Sequence, residues 1–197
     1  DINASIVSED NKLGLAIFGQ NTAKDEWDSN GDGFTELSRI SGQTIGFRGY
    51  IKTGLYSKVT AEYHHLEEFR RGGDNLNLPP HEVMIAEQTK HGINTGGLKF
   101  DWFSKDQKHR LNTFASIQHI DRESYYGAGM DPNAYGQTGD LTWVGGAQYI
   151  HKADNCLFMP ADLTVGLEYN EDYLRDNMWG YDRVTDQTVR IVSAYAQ

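Results

Sequence analysis

The sequence lacks most of what marks a helical enzyme or a disulfide-stapled secreted domain. It holds one cysteine, Cys156, so no intramolecular disulfide can form and the usual secreted framework is excluded. Cations are short. The 18 Lys and Arg stand against 28 Asp and Glu, a net charge of −10, which repels polyphosphate and argues against nucleic-acid binding. No run approaches the ~20 apolar residues of a transmembrane helix, and mean hydropathy is −0.62. A membrane β-barrel passes that test, because its strands alternate and average out. The opening "DINASIVSED" has no basic start, apolar centre or small-residue cleavage site, so the expectation is a cytosolic or already processed chain. Catalytic signatures are missing as well: there is no G-x-S-x-G, Walker loop, zinc CxxC or dinucleotide fingerprint. Neighbouring carboxylates such as Glu67 and Glu68 point to opposite strand faces, whereas glycosidase chemistry needs converging ones. The chain is not expected to be an enzyme.

What the sequence has is alternation. Aromatic residues make up 12% of the 197, and apolar and polar residues trade places with period 2 along the chain, while capped 3.6-residue spacing is hard to find. The expected fold is all-β, with strands near 2–9, 12–21, 43–53, 57–70, 93–104, 109–121, 140–151, 160–171 and 186–197. "QTIGFRGYIKT" sets Ile45, Phe47 and Ile51 against Thr44, Arg48 and Lys52. "INTGGLKFDWFS" sets Leu98, Phe100 and Trp102 against Lys99 and Asp101, and "RLNTFASIQHI" sets Leu111, Ala115 and Ile117 against Asn112, Ser116 and Gln118. Such dyads suit a sheet with oil on one face and water on the other.

The expected connections alternate in length, with tight turns at Asn11, near Gly54 and at "SKDQK", a moderate one through "ADNCLFMPAD", and longer loops at 22–42, 71–92, 122–139 and 172–185. Short turns on one end and long loops on the other are the layout of an antiparallel up-and-down outer-membrane barrel. The rival is a soluble, calcium-dependent β-sandwich that binds glycans, with the apolar faces packed sheet against sheet.

The segments "DSNGDGFTELSRISGQTIGFRGY", "EFRRGGDNLNLPPHEVMIAEQTKHGINTGGL", "RESYYGAGMDPNAYG" and "GLEYNEDYLRD" resemble the barrel region of TonB-dependent outer-membrane receptors, particularly those of Bacteroidetes-type bacteria. The resemblance implies that residues 1–197 are part of a transmembrane barrel of about 22 strands closed round a plug, with the plug and the remaining strands outside this sequence. It also implies import of a scarce nutrient, such as a ferric siderophore, haem or cobalamin, powered by the TonB complex through that plug. Outer-membrane lipid and the nutrient are then the partners.

Within that frame several residues are candidates. "DSNGDGFTE" offers calcium ligands at Asp28, Asn30, Asp32, the Phe34 carbonyl and Glu36, although position 12 of an EF-hand loop falls on Arg39, where the bidentate glutamate belongs. Its plainer reading is an Asx-turn loop. Arg70 and Arg71 either pair with Glu67, Glu68 or Asp74 or grip an acidic ligand or plug carboxylate. Tyr125, Tyr126 and Tyr135 are expected on an outer loop, suited to a flat or amphipathic ligand. His64 and His65 are adjacent on a strand and cannot share one ion, and "HEVMIAE" lacks the second histidine of a zinc-protease motif.

Overall fold

The computed structural model describes residues 1–156 and 158–197. They form nine strands: β1 (Ile2–Val7), β2 (Leu13–Lys24), β3 (Arg39–Gly54), β4 (Ser57–Gly73), β5 (Ile85–Phe103), β6 (His109–Ala128), β7 (Tyr135–Cys156), β8 (Met159–Met178) and β9 (Arg183–Ala196). All belong to one antiparallel sheet in chain order, β1 to β9, so each strand pairs with its sequence neighbours in an up-and-down meander.

The register puts the separate dyads onto shared faces. Ile17 lies opposite Phe47, Phe47 opposite Tyr63, Leu98 opposite Ala61 and Ala115, Ile117 opposite Trp143, and Leu167 opposite Ala147 and Ala194. Because the pleat alternates, these pairs lie on one face and Arg48, Glu62, Lys99, Ser116 and Gln118 lie on the other. Among the described residues no layer covers the apolar face: Ile45 is 62% exposed, Leu98 60% and Leu167 64%. On β7 the apolar run from Leu141 to Tyr149 extends ~27 Å along the strand at 3.4 Å per residue. A tilt of about 40° brings it to ~21 Å, close to the apolar height of an outer-membrane barrel.

The accessible surface is 13168 Å², whereas a compact monomer of this mass exposes about 9,400 Å². The excess follows from having one sheet and almost no enclosed core. The buried apolar residues among those described are few, and four of them, Val83, Ala86, Tyr125 and Ala134, cluster at one end of the sheet.

All nine expected strands are present, but most run longer than their alternation suggests. β4 continues to Gly73, β5 starts at Ile85, β6 ends at Ala128 and β7 starts at Tyr135. The expected loops contract to 25–38, 74–84, 129–134 and 179–182. The added stretches are polar on both faces, as in "EQTKHG" at 87–92, so they carry no period-2 hydrophobic signal even though their backbones are fully paired. Connections at the opposite end remain tight, at 8–12, 55–56 and 104–108, and β7 and β8 extend into the expected "ADNCLFMPAD" turn, β7 ending at Cys156 and β8 starting at Met159.

Candidate ligand-binding groove

Beyond the apolar band, β4, β5 and β6 continue as a polar ribbon toward the longer connections. Mainly on the face opposite the apolar one they border an open concavity of about 580 Å³ lined by Leu66, Glu68, Arg70, Glu87, Gln88, Thr89, His91, Ile93 and Tyr126, a size usual for small-molecule sites. Arg70 Nε donates to Glu68 Oε1 at 2.7 Å and Nη2 to Oε2 at 3.3 Å. The two residues are two apart on β4, so the pleat turns both to this face.

Next to that pair the ladder brings His91 opposite Glu68 and Arg122 opposite His91. Arg122 Nη2 donates to Thr138 Oγ1 at 2.8 Å and lies 3.7 Å from Asp176 Oδ1. Thr138 in turn donates to the same carboxylate at 2.6 Å, and Arg183 Nη2 to its other oxygen at 2.9 Å. One polar belt therefore crosses six strands, from Arg70 on β4 to Arg183 on β9. It offers guanidinium, imidazole and phenol groups side by side, the set that recognises carboxylates, phenolates and flat conjugated rings.

The five residues expected to bind ligand divide between the two faces. Arg70 and Tyr126 line the groove. Arg71, Tyr125 and Tyr135 lie on the other face, because Arg71 pairs with Gln88, Gln88 with Tyr125, and Tyr125 with Tyr135. The three tyrosines also stand on β6 and β7 rather than on a loop, which corrects the sequence expectation. The cause is the extra polar strand length. Tyr125 has no exposed surface and packs edge-on against Tyr135 with ring centroids 4.8 Å apart. Its hydroxyl donates to the Asp131 carbonyl at 3.0 Å, and Tyr135 Oη lies 2.8 Å from His81 Nδ1. Arg71 is 1% exposed, with Nη1 on the Gly72 carbonyl and with Nε and Nη2 unpartnered among the described residues. Tyr125 and Tyr135 thus fasten the 129–134 and 74–84 connections respectively.

Asp74 fastens the same connection by accepting from the Ile85 and Met84 N–H groups at 3.0 and 3.3 Å. Burial pushes its carboxyl up, but the Ile85 and Met84 N–H groups outweigh that and hold it below the ordinary carboxylate range.

The Asp28–Glu36 stretch forms a loop clasped at both ends. Trp27 and Leu37 bridge, and Phe34 bridges to Asp74. Asp28 Oδ2 accepts from Gly33 N at 2.9 Å and Oδ1 from Gly31 N at 2.7 Å; Asp32 Oδ1 accepts from Phe34 N at 2.9 Å, Asn30 Oδ1 from Asp32 N at 3.0 Å and Glu36 Oε2 from Ser29 N at 2.6 Å. The Gly33 N–H, foremost among these donors, holds the Asp28 carboxyl low. In these positions the carboxylates satisfy the loop's own backbone, and no three Asp, Glu, His or Cys side chains converge on a common centre among the described residues. Arg39 is occupied elsewhere: its Nε and Nη2 grip Glu26 at 2.8 and 2.6 Å, which pulls that carboxyl down to about 2.

The two adjacent histidines separate as a strand requires. His64 packs against Phe18 with ring centroids 5.2 Å apart and the rings tilted by 46°, and His65 Nδ1 lies 2.9 Å from Asn94 Oδ1 on the other face.

No known protein family, curated protein or solved structure matches the chain.

Arg122, Asp176 and Arg183 were missing from the sequence candidates, and His91 was weighed only as one of several histidines able to ligate iron or haem. Their association depends on ladder register over separations of up to 92 residues, and no local motif signals it.

Proposed function

We propose that the chain is part of the wall of a transmembrane β-barrel, a TonB-dependent outer-membrane receptor that takes up a scarce nutrient such as a ferric siderophore, haem or cobalamin. The observation that carries this reading is the continuous, uncovered apolar face shared by nine paired strands, backed by a polar face with a charged groove. Water does not tolerate so large an apolar surface on a soluble monomer, whereas lipid requires it and requires full backbone pairing within it. Both outer edges, on β1 and β9, pair with nothing among the described residues, and further strands of a closed barrel supply the partners they need. The nutrient binds the groove through Arg70, His91 and Tyr126, and the TonB complex drives its release through a plug. A calcium ion at Asp28, Asn30, Asp32, the Phe34 carbonyl and Glu36 belongs to the same proposal; to accept it, Glu36 has to turn from Ser29 toward Asp28 and Asp32.

The sandwich alternative needs a second sheet over the apolar face, and the described residues contain one sheet only. The deciding experiment places nitroxide labels at Phe47 and, separately, at Arg48, with Cys156 replaced by serine, in lipid bilayers. Oxygen dissolved in lipid should quench the label at 47 and a water-soluble nickel chelate the label at 48. Equal protection of both sites from the lipid-soluble quencher refutes the barrel.

A further inference from the structure

At the tight-turn end of the polar face, far from the groove, a second concavity of about 660 Å³ collects Lys52, Lys58, Lys99 and Arg110 around Asp101, Phe103 and Tyr56. Four cations and one carboxylate in one hollow run against a chain whose net charge is −10. Lys52 and Lys58 stand directly opposite each other in the β3–β4 ladder, a like-charge pairing that destabilises a sheet unless a counter-charge lies between the two.

The carboxylate nearest in the ladder is Asp101, which stands opposite Lys58 on its β5 side, and among the described residues it makes no ion pair with either lysine. Asp101, 7% exposed, is taken by Lys99 at 3.0 Å and by Asn112 Nδ2 at 2.5 Å. Lys52, Lys58 and Arg110 have no ion-pair partner among the described residues. Arg110 instead spreads over the Phe103 ring at 5.5 Å, and its buried Nε has no hydrogen-bond partner. By contrast, Arg48, two rows further along the same face, has Glu62 at 3.8 Å.

We propose that this hollow is a binding site for a small, multiply charged oxyanion, a polycarboxylate or a phosphate, held by the ammonium groups of Lys52 and Lys58 and the guanidinium of Arg110. An anion between the lysines removes their mutual repulsion and gives the Arg110 guanidinium a counter-charge. The volume lies within the range of small-ligand sites. The site stands on the polar face alone and does not depend on what covers the apolar one.

The test is calorimetric titration of the full-length protein, in a non-ionic detergent at low salt, with citrate, with pyrophosphate and with hexaglutamate. Binding of citrate or pyrophosphate supports the site, and whichever binds tighter identifies the source as carboxylate or phosphate. Lys52→Gln and Lys58→Gln should each weaken that binding roughly tenfold, the loss of one charge-assisted hydrogen bond, and Arg48→Gln should leave it unchanged. The bound anion should also raise the thermal midpoint of the unsubstituted protein more than that of Lys52→Gln/Lys58→Gln, a readout that needs only folded protein. No heat with any anion, or equal affinity in the lysine variants, overturns the proposal. Heat with hexaglutamate alone overturns it in favour of an acidic polypeptide partner.

Discussion

Tyr125 is the most informative single side chain to perturb, since it is wholly buried in a protein with little enclosed core. Its ring meets Tyr135 edge-on and closes the cluster of Val83, Ala86 and Ala134. Tyr125→Phe keeps the ring and removes one hydrogen bond, that to the Asp131 carbonyl, at a cost of about 1 kcal/mol. Tyr125→Ala removes the ring as well and should cost about 3–5 kcal/mol, as truncation of buried aromatics does; the edge-on contact contributes roughly 1 kcal/mol of that. The cluster sits at one end of a long sheet, so the cost should fall on the 74–84 and 129–134 connections and leave the apolar band intact. Amide hydrogen exchange reads this directly. The Asp74, Tyr126 and Gly129 amides, bonded to the Ile85, Ala134 and Met84 carbonyls, should exchange about fivefold faster in the phenylalanine variant and at least about a hundredfold faster in the alanine variant. Amides of Leu98 and Ala115 in the band should not change. Equal exchange in both variants, or protection lost across the whole sheet, refutes the reasoning.

Three further outcomes are expected. Gly73 has φ +110, and a Cβ there would lie 2.1 Å from the Ile85 carbonyl oxygen, so Gly73→Ala should cost more than about 2 kcal/mol; a thermal midpoint unchanged by the substitution contradicts that backbone arrangement. The Glu26 carboxyl is depressed to about 2 by Arg39, so its contribution to stability is fully present above the ordinary value near 4.5 and is lost as pH falls through about 2. The Arg39 Nε–H resonance should follow that titration, and a midpoint near 4.5 rules the pair out. Calcium titrated into the protein should release heat that disappears in Asp32→Ala; no heat in either protein reduces the Asp28–Glu36 stretch to the hydrogen-bonded turn already visible there.

The strands were legible because alternation is a local property: the pleat turns residues i and i+2 to one face whatever their neighbours are. That rule alone places Phe47 against Arg48 and Leu98 against Lys99. Applied to His64 and His65 it correctly separates them. Applied to Arg70 and Arg71, or to Tyr125 and Tyr126, it divides the candidate ligand residues in the same way, and the expectation of loops from residues 71 and 122 onward hid the division. The strand ends escaped notice because "EQTKHG" and its counterparts are polar on both faces; such stretches become strand through ladder hydrogen bonds, which composition does not display.

By itself, then, the sequence determined the all-β class, the succession of nine strands and the sorting of side chains between an apolar and a polar face. Register decided the rest. Which residues stand opposite each other depends on pairings between distant parts of the chain, and a slip of one residue exchanges the faces of a whole strand. Only the paired sheet brings His91 between Glu68 and Arg122, ties Thr138 and Arg183 to Asp176, and gathers Lys52, Lys58, Lys99 and Arg110 into one hollow. Charge acts through space rather than along the chain, so these sites exist only once the strands have paired.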